Sequence, residues 1–73
     1  MNNIDKLKSV GFKVDETYQR SHIRFLNPQS NLVFYNERGT DKIRVTDNES
    51  ISLRSSVKLS QIDFDRIIIE RSK

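Results

Sequence analysis

Apolar residues recur along this chain with two different periods. Between residues 20 and 54 they alternate with polar ones, the spacing of strands; near both ends they recur every three or four residues, the spacing of helices. Ile4, Leu7 and Val10 predict a short helix, with Asn3 as its cap and Asp5 in its first turn. Gly11 is a suitable stop, after which Phe12 can fold back onto the helix. Phe12, Val14 and Tyr18 are spaced for a strand that Asp15 and Glu16 weaken. Residues 20–26 form the cleanest strand, with Arg20, His22 and Arg24 on one side and Ser21, Ile23 and Phe25 on the other.

Asn27-Pro28-Gln29-Ser30-Asn31 predicts a turn, and Leu32-Val33-Phe34-Tyr35, apolar on both faces, a central strand. Residues 36–41 read as a hairpin loop in which Gly39 can take positive φ. Residues 42–46 and 50–54 alternate again, separated by a turn at 47–49. At the C-terminus Ser60 and Asp63 resemble a capping box, and Phe64, Ile67 and Ile68 have helical spacing, widened by Ile62 and Ile69. The β-branched run 67–69 argues for a final strand instead; cap and spacing favour a helix over about residues 60–71. The predicted fold class is α+β: a short N-terminal helix, an antiparallel β-meander of three to five strands, and a C-terminal helix packed on one sheet face. Residues 1–73 make a single small domain.

Composition narrows the function classes. With 34% hydrophobic and 32% charged residues in a chain of 73, the core is small. A chain of this size buries only about 60% of its unfolded surface, so a partner or a second copy can add stability. There is no cysteine, which excludes disulfides and thiol chemistry and fits a reducing compartment. No apolar run approaches the roughly 20 residues of a membrane helix, and the N-terminus reads as neither secretion signal nor transit peptide, so a cytoplasmic location is expected. A single histidine without cysteine excludes an ordinary zinc site. The carboxylate pairs Asp47/Glu49 and Asp63/Asp65 read as turn and helix-start residues, so no metal is expected. Two glycines cannot build a phosphate-cradling loop, and Ser55-Ser56 has no nearby base. No cofactor is expected, and the small scaffold disfavours a metabolic enzyme.

A covered sheet leaves one face to carry function. The inward set is Ile23, Phe25, Ile43, Val45, Ile51 and Leu53; the outward set is Arg20, His22, Arg24, Lys42, Arg44, Thr46, Ser50, Ser52 and Arg54. That outward set holds five permanent cations, Arg20, Arg24, Lys42, Arg44 and Arg54, and no carboxylate. The nearby acids Glu37, Asp41, Asp47 and Glu49 fall in predicted turns. The central strand adds either Phe34 or Tyr35, and Tyr35 is the candidate. Cations around an exposed aromatic can hold single-stranded nucleic acid, the ring stacking a base and the cations following phosphates. The same pattern also suits an ordinary solvated face or a protein-binding face. His22 reads as a contact residue, or as a general base if a catalytic partner joins it.

A helix followed by Leu7, Gly11-Phe12, Ser21-His22, Phe25 and Pro28 resembles the N-terminal half of HicA-type toxins over about residues 3–34. Those are small RNA-cleaving proteins with a fold like double-stranded-RNA-binding domains. The resemblance implies a catalytic His22 on an RNA-binding strand. The chain departs from that family in having Arg20 before Ser-His, two further predicted strands over residues 42–54, and no basic closing segment in residues 60–73.

The residues therefore favour a small non-enzymatic binding module. Its cationic sheet face or edge, formed by Arg20, His22, Arg24, Tyr35, Lys42, Arg44 and Arg54, would engage RNA, single-stranded DNA or a protein that it regulates. The composition suits an accessory protein of a phage or mobile element. The alternatives are a HicA-like ribonuclease using His22 and a structural subunit of an assembly. Self-association is open, and no membrane is expected.

Overall fold

The computed structural model describes residues 2–73. The elements run α1 (Asn3–Ser9), β1 (Lys13–Val14), β2 (His22–Leu26), β3 (Leu32–Glu37), β4 (Ile43–Asp47), β5 (Val57–Leu59) and α2 (Gln61–Arg71). The five strands form one antiparallel meander in sequence order. This is the expected α+β architecture, with both helices on one face of the sheet.

Local chemistry sets the helix ends. Asn2, one residue earlier than predicted, caps α1: its side chain accepts from the Asp5 N–H at 2.8 Å. Asn3 is instead buried and ties three elements together. Its amide donates to the Asp41 carbonyl at 2.6 Å and exchanges hydrogen bonds with the Gln61 amide at 3.0 and 2.8 Å. Gly11 stops α1 at φ +98°, so that the Phe12 N–H reaches back to the Leu7 carbonyl at 3.1 Å. The cap of α2 is Ser60, which accepts from the Asp63 N–H at 3.2 Å. This confirms the helix over the strand at the C-terminus. The β-branched run 67–69 is accommodated because Ile67 and Ile68 pack on the core.

The two helices lie side by side with their N-termini together, as the Asn3–Gln61 pair and a Lys6–Asp65 ion pair of 2.9 Å require. They cover Phe25, Phe34 and Ile43 with Leu7, Phe12 and Phe64. Phe34 is the centre of this layer. Its ring meets Phe12 and Phe64 edge-on, at centroid distances of 5.0 and 5.8 Å.

Two sequence expectations change. Residues 50–54 are not a strand. Their serines take up the backbone locally: Ser50 N–H donates to Asp47 and Arg54 N–H to the Ser52 hydroxyl, while turns close at residues 52–55 and 53–56. The fifth strand is the three-residue segment Val57–Leu59, beside β4. Ile51 consequently leaves the inward set and is exposed. The second change lengthens β3. It runs to Glu37, two residues into the predicted hairpin loop, and Gly39 takes φ +77° in the shorter turn.

Candidate functional site

The register defines the face opposite the helices. Arg24, Tyr35, Arg44 and Lys58 form one lateral row across β2 to β5, and His22 and Glu37 form the next row. This is the face predicted to be open and cationic. It is largely roofed.

Loop residues from both sides fold over it. From the β1–β2 connection, Tyr18 packs edge-on against Tyr35 at 5.6 Å. Arg24 holds that loop down: its Nε and a terminal nitrogen donate to Asp15 Oδ2 at 2.9 and 2.6 Å, and its guanidinium lies 4.5 Å from the centre of the Tyr18 ring. From the β4–β5 connection, Thr46 Oγ1 donates to the Ser50 carbonyl at 2.9 Å. Arg44 donates to the Ser56 hydroxyl at 2.8 Å and to the Ser56 carbonyl at 3.0 Å. The two strand arginines are therefore tethers for the loops that cover the sheet.

Tyr35 is the main correction to the predicted site. Its side chain does belong to this face, flanked by Arg24 and Arg44, but it is fully buried and cannot stack on a base. Its hydroxyl has no hydrogen-bond partner among the described residues. Alternation left either Phe34 or Tyr35 for this face, and the structure puts Tyr35 there; its burial by Tyr18 was not visible in the sequence pattern.

Arg24 and Asp15 each favour the other's charged form. The Thr17 hydroxyl first, and Arg24 second, hold the Asp15 carboxyl below its ordinary value. Burial opposes charge on Arg24, but the Asp15 carboxylate, its hydrogen-bond and charge partner, outweighs it and raises the guanidinium above its usual value. Arg24 is thus spent on the fold.

What remains is a cleft at the β3–β4 hairpin end of the sheet. His22, Glu37 and Arg44, with Leu53 and Arg54 on the loop side, line a shallow, open concavity of about 520 Å³. On the other side His22, Glu37 and Arg44 continue into a smaller concavity of about 100 Å³ with Lys42 and Lys58. Of the predicted residues, the structure brings together His22, Lys42, Arg44 and Arg54. It separates out Arg24 and Tyr35. Arg20 precedes β2 and is exposed, with its carbonyl occupied by Arg38 Nε at 2.7 Å. Arg54 reaches the cleft from a turn rather than from the predicted strand.

Sequence reasoning missed Lys58 and Glu37. Lys58 could have been found by recognising Val57-Lys58-Leu59 as the strand. Glu37 was assigned to a turn, yet it is the cross-strand partner of His22. The face is therefore not free of carboxylates: Glu37 lies within it and Asp15 against it. His22 is partly buried, and Ser21 Oγ lies 2.9 Å from its Nδ1.

No group of three or more metal-binding side chains occurs among the described residues, and none of their helices is long and apolar enough to cross a membrane. In comparisons with protein-family models, curated proteins and solved structures, the chain matches none.

Proposed function

We propose that this protein is a small binding module whose cleft holds the phosphate backbone of a single-stranded nucleic acid. The observation that carries the reading is the placement of Lys42, Arg54 and Lys58 around two adjoining concavities that share His22, Glu37 and Arg44, with Glu37 as the single acid of both. These cations come from the hairpin end, a turn and the edge strand β5, so they rim the two adjoining concavities from different sides. With Tyr35 buried, recognition rests on phosphate contacts rather than base stacking, and sequence preference is expected to be weak.

The test is binding of labelled single-stranded RNA and DNA across a salt series. With Arg44 held on Ser56, three phosphates neutralised by Lys42, Arg54 and Lys58 on a single strand predict a slope of log K against log salt of about −2. Charge reversal of Arg54 and Lys58 together is expected to abolish binding with the fold intact. No binding at low salt overturns the reading, and co-purification of one stoichiometric protein would point to a protein target instead.

A second reading, an RNA-cleaving enzyme of HicA type, draws support from one observation. His22 and Glu37 stand on neighbouring strands within the cationic cleft, where an acid and a base could flank a bound phosphodiester. RNA cleavage that disappears in His22→Ala would favour it. RNA that is bound and stays intact would dismiss it.

A further inference from the structure

Helix α2 has a second apolar face that the fold does not use. Phe64, Ile67 and Ile68 pack on the core, whereas Ile62 and Ile69 point the opposite way and are 73% and 59% exposed. They stand one heptad apart on a single stripe. Between them runs a shallow groove of about 420 Å³ edged by Asp65, Arg66, Glu70 and Lys73. Its two acids and two bases give it no net charge, so neither a strongly acidic nor a strongly basic partner is complementary to it.

We propose that this groove is covered by α2 of a second copy of the chain, packed antiparallel about a two-fold axis between Asp65 and Arg66. Isologous contacts repeat every pairing twice. About this axis each Ile62 meets the partner's Ile69, and each Asp65 meets the partner's Arg66. The parallel alternative sets Arg66 on Arg66 and Asp65 on Asp65, so charge selects the antiparallel arrangement. Antiparallel packing also opposes the two helix dipoles.

The charged groups are suitably poised. Lys6 and Gln61 both bind Asp65 on Oδ1, leaving Oδ2 to an incoming guanidinium. Lys6 first, and Gln61 second, lower the Asp65 carboxyl and keep it ionised. Arg66 has only a loose exposed contact with Asp63, at 3.5 Å. The contact involves one helix of eleven residues per copy, at the small end of specific interfaces, so weak association in the micromolar-to-millimolar range is expected. The sheet lies between this face and the cationic cleft, so dimerisation leaves both clefts accessible.

Sedimentation equilibrium of the full chain from about 10 µM to about 1 mM tests the proposal across that affinity range. The weight-average mass should rise from one chain toward two. Ile62→Lys and Ile69→Lys should each hold the protein monomeric with unchanged circular dichroism. Arg66→Asp should weaken association at least tenfold, whereas Arg66→Lys, which keeps the charge facing the partner's Asp65, should largely retain it. A chain that is monomeric at 1 mM overturns self-association and leaves the groove to a different partner. A dimer indifferent to Ile62 and Ile69 overturns the surface, and one indifferent to Arg66→Asp overturns the antiparallel register.

Discussion

Arg24 and Asp15 join the middle of the sheet to the loop that covers it, through two hydrogen bonds to the same carboxylate oxygen at 2.9 and 2.6 Å. The other oxygen of Asp15 accepts from the Thr17 backbone and hydroxyl at 3.1 and 2.6 Å. A carboxylate held this way organises a loop as well as neutralising a half-buried arginine. Asp15→Asn should destabilise the fold by roughly 1–3 kcal/mol, because it leaves the guanidinium short of a charged partner. Urea denaturation at neutral pH measures this.

The same pair predicts a pH dependence. Asp15 is held below its ordinary value of 3.8, so the folded state binds its proton less readily than the unfolded chain. Its contribution is fully present above the unfolded value and is lost as pH falls through the lower folded one. Stability should decline from about pH 5 downward, and the Asp15→Asn variant should show a shallower decline over that interval. Equal acid slopes in the two proteins would contradict the assignment.

Phe34 carries the core between the two helices. Phe34→Ala should cost about 3–5 kcal/mol, comparable with the whole stability expected of a domain this size. The variant is expected to be largely unfolded by circular dichroism at 25 °C. A cooperative transition near that of the parent would show that Phe12 and Phe64 can close on each other without it.

Tyr35→Phe separates burial from recognition. It removes a buried hydroxyl that lacks a partner, so stability should stay level or rise by up to about 1 kcal/mol. Nucleic-acid affinity should not change, because the ring is covered. A tenfold loss of affinity would mean that Tyr18 swings away to expose it.

The two glycines should respond differently to alanine. Both have positive φ, but a Cβ at Gly11 would come within 3.2 Å of the Asn27 amide, while at Gly39 it would meet open space. Gly39→Ala should cost about 1 kcal/mol from backbone strain alone, and Gly11→Ala more. Thermal unfolding of the two variants gives the comparison directly.

Much of this protein could be read from local pattern. The stop at Gly11, the turn at 27–31, the central strand at 32–35 and the cap at Ser60 each follow from one or two residues with strong backbone preferences. The failures share a cause. Residues 50–54 alternate like a strand, but the Asp47 and Ser52 side chains satisfy the backbone locally, and periodicity does not register that competition. Glu37 looked like a loop residue because the hairpin turn is shorter than its polar run.

The candidate site was legible as a list of charges and not as a place. Period-two spacing fixed which side chains leave the sheet on which face, and that held for His22, Arg24, Tyr35 and Arg44. It did not reveal that Asp15 would claim Arg24, that Ser56 would claim Arg44, or that Tyr18 would cover Tyr35. Sequence alone determined the two helices, the strands β2 to β4 and the facial sorting within those strands, because those depend on neighbours a few bonds away. Only the tertiary structure decided which cations remain available, because that depends on loops brought together by the pairing of distant strands.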